Sequence, residues 1–430
     1  MKKLLLPLII LLLFMLTGCR NKKKQLLQRE LAAHQRGQDI LEYIHSVQNQ
    51  KNQAVEDFIA ALTPQDKIAQ LFVVNLVGCD TFVPVEEIIA GGFLYFAYNI
   101  AESPRAQAAF NKSIIEYCRD NNKIPPFLTV DQEGGYVNRL QPLNGPLPSA
   151  QRVSTILSTQ KAEELYSLQA KQMKALGFTM NLAPVAEVCT ADNEIFLNQR
   201  SFGDLKTVTD YGRVCIRAYK AEGIASVIKH FPGNTNTDPH TGLPEIKWSQ
   251  EEFDMQMASF KNLLKEKPAA ILMSHARVKD HDQELPACLS KYWVSDMIRK
   301  NFGYEGIIFS DDIFMGALAD NGYPPETAVV MAIEAGIDCI MISEKRILDS
   351  VEVLVKKAEE DADFAKLLDR AVRRIIDYKI DTGMLYVHLD DSGKYLLSID
   401  YQACMNNDAS VFADLKQQNR QFYMDNFYGK

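Results

Sequence analysis

The chain has 430 residues, 47% of them hydrophobic and 24% charged, with a formal net charge of −8. That apolar content supports a large core and excludes both disorder and a small disulfide-stapled scaffold. The acidic balance argues against nucleic-acid binding, which draws its affinity from basic surfaces.

Met1-Lys2-Lys3 is a basic start, Leu4 to Leu16 is almost wholly apolar, and Thr17-Gly18-Cys19 follows. The apolar run is shorter than the ~20 residues that cross a bilayer. The pattern reads as a secretory signal over residues 1–18, with a short membrane anchor or a buried helix as the alternative. Leu16-Thr17-Gly18-Cys19 resembles the lipobox of bacterial lipoproteins. That resemblance implies cleavage before Cys19 and lipidation of its sulfur, giving a membrane-anchored protein of the bacterial cell envelope. Loss of Lys2 and Lys3 would take the net charge to −10. The other seven cysteines are scattered, without a C-x-x-C pair, so they read as small buried hydrophobes rather than a zinc site or a disulfide framework.

Residues 19–55 are rich in Gln, Lys and Asn and form a polar, helical spacer in this reading. From Pro64 short apolar runs alternate with longer amphipathic ones. Strands are expected at Ile68–Val77, Gly92–Ala97, Phe127–Asp131, Phe178–Ala183, Ile224–His230, Ala269–Ser274, Gly306–Ser310 and Cys339–Ile342. Helices are expected between them at Pro104–Asp120, Gln160–Leu176, Val208–Ala221, Gln250–Leu264, Tyr292–Asn301 and Pro325–Ala335. Two more, Ile347–Ala358 and Phe364–Lys379, follow the last strand. Gly177, Gly223 and Gly336 stand where helix-stopping glycines belong. Eight alternating units predict an α/β fold, a (β/α)8 barrel over residues 56–384, with 385–430 as a short tail. A doubly wound open sheet is the competitor, but no G-x-G-x-x-G follows a strand.

Catalytic side chains of such barrels lie at the carboxyl ends of the strands. Those positions hold Asp131 with Gln132-Glu133-Gly134-Gly135, then Glu187, then Arg200, then Lys229 and His230, then Ser274-His275, then Asp311 and Asp312. Carboxylates and cations converging on one concave face suit a polyhydroxylated ligand, whose hydroxyls need both donors and acceptors. Asp311 is the candidate nucleophile toward an anomeric carbon, with Lys229 and Arg200 expected to hold its charge. His240 has the intrinsic pKa of a proton donor, and Asp238 is placed to orient it. Read alone, Asp238-Pro239-His240 is also an ordinary polar turn. His230 is assigned to substrate binding. No spacing such as H-E-x-x-H supports a metal, and no cofactor is expected.

The motifs Asp131-Gln132-Glu133-Gly134-Gly135, Arg200-Ser201-Phe202-Gly203, Lys229-His230-Phe231-Pro232-Gly233, Asp238-Pro239-His240 and Phe309-Ser310-Asp311-Asp312 together resemble glycoside hydrolase family 3. The likeness is to its β-N-acetylglucosaminidases of the peptidoglycan-recycling type. The resemblance implies a retaining exo-glycosidase with Asp311 as nucleophile and His240, paired with Asp238, as acid/base. Asp131, Arg139, Arg200, Lys229 and His230 would hold a terminal N-acetylglucosamine. The expected partners are a carbohydrate substrate and, through the lipid, a membrane; the expected state is a monomer. The chain departs from the family pattern at Asn234-Thr235, which replace His-Gly, and in a loop two residues shorter before Asp238. Pro239 replaces Ser, and Tyr136 stands where the family often has Arg. A lipid-anchored sugar-binding protein with a degenerate loop, and a phosphorylase, are the alternative readings.

Overall fold

Short apolar runs, too short and too β-branched to persist as helices, form the barrel strands. These are β1 (Phe72–Asn75), β2 (Gly92–Tyr95), β3 (Phe127–Val130), β4 (Met180–Asn181), β5 (Ala225–Phe231), β6 (Ala270–Met273), β7 (Ile307–Asp312) and β8 (Cys339–Ile342). In this computed structural model, which describes residues 35–239, 242–282 and 284–428, they close into a barrel in the order β1-β8-β7-β6-β5-β4-β3-β2. Every neighbouring pair is parallel. The predicted (β/α)8 architecture is therefore the observed one.

Helices cover the outside because their apolar residues recur at helical spacing and their ends are capped. The longer ones are α1 (Pro104–Asp120), α2 (Thr159–Leu176), α3 (Leu205–Ala221), α4 (Gln250–Leu264), α5 (Pro325–Ala335), α6 (Ile347–Glu360), α7 (Ala362–Asp381) and α8 (Phe412–Phe427). Ser103, Ser158, Asp204 and Ser249 cap the first four with side-chain oxygens. Tyr292–Asn301 is a π-helical segment. Gly177 and Gly336 end α2 and α5 in the left-handed conformation, as their positions in the sequence imply.

The expected boundaries shift for local reasons. Ile68 and Ala69 leave the expected first strand for a helix, Pro64–Ala69, with Pro64 in its first turn and the Thr63 hydroxyl accepting from the Asp66 amide. Pro184 supplies no N–H, and β4 shrinks to two residues. β7 extends past Ser310, so Asp311 and Asp312 belong to the strand.

The chain divides into two units. The larger comprises residues 61–386 and 398–428. Within it α8 buries Phe412 and Phe427, and Lys161 of α2 lies over the Phe422 ring at 5.8 Å. Asn407 donates to the Ala108 carbonyl, 3.0 Å. The tail thus adds a helical layer to the barrel. The smaller unit comprises residues 35–60 and 387–397. Residues 35–60 are helical, and Asp57 pairs with Lys394 at 3.2 Å. Residues 1–18, Cys19 and His240 lie outside the described residues. The seven cysteines after Cys19 are all unbridged, and Cys118, Cys215, Cys288 and Cys339 are buried.

Candidate active site

The segment after β3 turns back on itself as a small hairpin, Gln132–Gly134 against Val137–Asn138. Gly134 and Gly135 make the turn at φ 98° and 58°. A Cβ on Gly134 would fall 2.2 Å from the Pro148 carbonyl oxygen, so only glycine fits both the angle and the space. Gln132 locks the base of the hairpin, donating to Asn138 Oδ1 at 2.7 Å and accepting from the Leu140 amide at 3.0 Å. This geometry carries Glu133 inward.

Glu133 is the centre of the charge network. Arg200 donates to it twice, from Nε at 2.8 Å and from a terminal nitrogen at 2.9 Å. Lys229 lies 2.7 Å from Glu133 and 2.5 Å from Asp131. Burial pushes the Glu133 carboxyl up, but the adjacent Arg200 and Lys229 charges outweigh it and hold it well below the usual carboxylate range. Burial likewise opposes the Arg200 charge, and Glu133 more than restores it.

The ladder register shifts between Lys229 and Phe231, a bulge that re-aims consecutive side chains. Lys229 and His230 consequently both reach the cluster. His230 Nδ1 donates to Glu187 Oε1 at 2.7 Å, because a carboxylate accepts only. Its Nε2 then accepts from Arg200 at 3.3 Å, which makes His230 the neutral Nδ1–H tautomer. Glu187 is wholly buried and also accepts from Asn234, 3.3 Å. Phe196 flanks this layer, its ring 5.6 Å below the Arg200 guanidinium.

Asp311 is the penultimate residue of β7, and one of its oxygens accepts from the Asp312 amide at 2.9 Å. His275, at the end of β6, holds the next peptide. Its Nε2 donates to the Asp312 carbonyl at 2.9 Å, so its Nδ1 accepts from the Cys288 thiol at 3.2 Å. Burial raises the Cys288 thiol and keeps that proton in place. Lys229 and Arg200 do not pair with Asp311 as expected. Their ion pairs go to Asp131 and Glu133, the acids that the β3 hairpin delivers to the same buried layer.

Asp131, Arg200, Lys229 and His230 are thus brought together. Arg139 stands apart from these ion pairs, its guanidinium 6.0 Å from the Phe96 ring centre. Asp238 is exposed. Its loop is tied down on both sides. Asn236 accepts from the Ile195 and Phe196 amides at 2.9 and 3.3 Å and donates to the Ala191 carbonyl at 2.9 Å. The Pro239 carbonyl accepts from Ala317 at 3.0 Å. Sequence reasoning left Glu133 and Glu187 without a role, although both stand at strand ends. Their signal was an acid beside glycines and an acid after an apolar run.

Residues 63–378 match the model described as glycosyl hydrolase family 3 N terminal domain. The chain is 31% identical over 297 residues to the beta-hexosaminidase of Vibrio cholerae serotype O1 (strain M66-2), a match spanning 65% of this chain and 87% of that protein. It is 29% identical over 334 residues to beta-hexosaminidase LpqI of Mycobacterium tuberculosis, spanning 74% and 84%. The crystal structure of beta-N-acetylhexosaminidase from Beutenbergia cavernae matches with TM-score 0.67 and 26% identity, covering 74% of this chain and 99% of that one.

Proposed function

This chain belongs to glycosyl hydrolase family 3, and on that premise we propose that it removes terminal β-linked N-acetylglucosamine from peptidoglycan fragments or related glycans. The observation that carries the reading is the buried network of Asp131, Glu133, Arg200, Lys229 and His230 at the same end of the barrel as Asp311.

The network leaves donors for a sugar. Lys229 has three N–H bonds and gives two to Asp131 and Glu133. Arg200 binds Glu133 and His230 through Nε and one terminal nitrogen, leaving the other terminal nitrogen for ligand hydroxyls. Asp131 retains an oxygen to accept from them. In the proposed reaction a carboxylate oxygen of Asp311 attacks the anomeric carbon while His240 protonates the leaving glycosidic oxygen. His240 then takes a proton from water, which displaces Asp311 and restores the β configuration. Asp238 polarises His240, and Arg139 completes the sugar pocket.

The test is hydrolysis of an aryl N-acetyl-β-glucosaminide, with the product anomer read by NMR. Wild type should release the β anomer, and Asp311→Asn should lose activity on the order of 10³-fold or more. His240→Ala should lose its high-pH limb. N-acetylglucosamine binding without turnover by wild type would point to a binding protein instead. A rate that rises with phosphate and yields sugar 1-phosphate would point to a phosphorylase.

The same reading places the chain in the cell envelope as a monomer anchored by lipid on Cys19. The segment Leu16-Thr17-Gly18-Cys19 supports it. Fatty-acid labelling lost in Cys19→Ser, with release of the protein from the membrane fraction, is the expected result.

A further inference from the structure

Asp311 stands in a break of the barrel ladder. β7 pairs with β6 at Ile307, Ile308 and Phe309. Along β8, Phe309 stands opposite Cys339 and Asp312 opposite Met341, so three steps on β7 match two on β8. The extra residue makes a bulge over Ser310 and Asp311, the device by which a strand re-aims a side chain. A bulge also removes ladder hydrogen bonds, and other groups take their place here. The Ser310 hydroxyl accepts from the Met341 amide at 3.1 Å. The Asp312 carbonyl accepts from the Met315 amide at 3.0 Å and from His275 Nε2 at 2.9 Å.

His275 is 1% exposed and Cys288 is wholly buried. A single 3-10 turn, Ala287–Leu289, carries the cysteine. The Ala287 amide donates to the Ala276 carbonyl at 3.0 Å, which sets Cys288 against the neighbouring His275. The thiol lies 3.2 Å from His275 Nδ1. A carbonyl only accepts, so the His275 proton is on Nε2 and the Cys288 S–H donates to Nδ1. The other tautomer would set a bare Nε2 against the Asp312 carbonyl, two acceptors face to face. Burial, and then the nearby Asp311 charge, push the Cys288 thiol up and keep it a donor.

We propose that Cys288 and His275 are positioning residues for the nucleophile: the thiol holds the imidazole with its proton on Nε2, and that N–H holds the peptide that follows Asp311. The proposal rests on the glycosidase reading, in which an Asp311 oxygen attacks the anomeric carbon. Misplacing a reacting group by about 1 Å costs up to ~10²-fold in rate. Loss of either anchor therefore slows attack and leaves sugar binding as it was.

Steady-state kinetics on an aryl N-acetyl-β-glucosaminide, read beside melting temperatures, test it. Cys288→Ala, small and without a donor, should lose kcat roughly tenfold or more with KM unchanged. Cys288→Ser puts a donor back at that atom and should recover most of the loss. A packing role would instead move kcat in step with melting temperature. His275→Gln, whose amide still donates toward Asp312, should retain more kcat than His275→Ala. In the infrared, the S–H stretch that disappears in Cys288→Ala should lie below that of a free thiol and return to it in His275→Ala. A wild-type kcat in Cys288→Ala, no recovery in Cys288→Ser, or an unshifted S–H band would overturn the proposal while the glycosidase reading stands. An inactive wild type would overturn that reading and this proposal with it.

Discussion

Arg200 grips Glu133 through two parallel hydrogen bonds of 2.8 and 2.9 Å, in a layer where Glu133 keeps only 4% of its side chain exposed. The pair organises the site, because Arg200 also supports the His230 ring and Glu133 also anchors Lys229. Glu133→Gln would strip Arg200 of its hydrogen-bonded carboxylate and leave Lys229 paired with Asp131 alone. The expected loss is about 3–5 kcal/mol, measured by urea unfolding at pH 7. The sign of the pH effect follows from the lowered carboxyl pKa. Wild type holds this stabilisation above the ordinary carboxylate range and loses it as pH falls toward the lowered value, whereas the variant lacks that acid slope.

Glu187 acts through His230. With Gln in its place the His230 Nδ1–H faces an amide instead of a carboxylate, and the ring loses its fixed orientation. A charge-assisted hydrogen bond of this kind contributes about 1–3 kcal/mol. Glu187→Gln should raise KM for an aryl N-acetyl-β-glucosaminide roughly ten- to hundredfold with a smaller change in kcat. An unchanged KM would remove His230 from sugar binding.

Asn236 ties the loop carrying Asp238 to residues 191–196 through three side-chain hydrogen bonds. Asn236→Ala frees the loop without touching the charge network. Since displacement of a catalytic group by about 1 Å costs up to ~10²-fold, kcat should fall roughly tenfold or more while KM holds. Faster proteolysis within 234–242 should accompany the loss.

Lys379 is fully buried on α7, donating to Gln70 at 2.7 Å and to the Pro125 carbonyl at 2.8 Å. Burial pulls its ammonium group down to about 7, with nearby Cys118, Cys404 and Cys339 opposing the shift weakly. Between that value and the ordinary lysine range the unfolded chain binds more protons than the folded one. Stability should therefore rise with pH from about 7 to 10, by a few kcal/mol at most. Lys379→Met should flatten this slope in urea titrations. A slope equal to wild type would contradict the assignment.

Much of the barrel was legible because each strand is a short buried run between helices with visible caps. β8 coincides with the expected Cys339–Ile342, and α1, α4 and α5 with their expected ranges. The misplaced ends have local causes, Pro64 starting a helix and Pro184 breaking a ladder. The site was legible as a list of strand ends, since barrel topology assigns those positions to one face.

The pairing within that list was not legible. Ion pairs join residues as distant in sequence as Asp131 and Lys229, and which acid a cation meets depends on a glycine turn and a bulge acting together. Hydrophobic periodicity and turn chemistry are local, so the sequence alone determined the eightfold alternation, the strand-end residues and the family motifs. Charge pairing in a buried layer is set by distances of a few ångströms between remote segments. Only the tertiary structure decided that Glu133, not Asp311, receives Arg200, and that Glu187 orients His230.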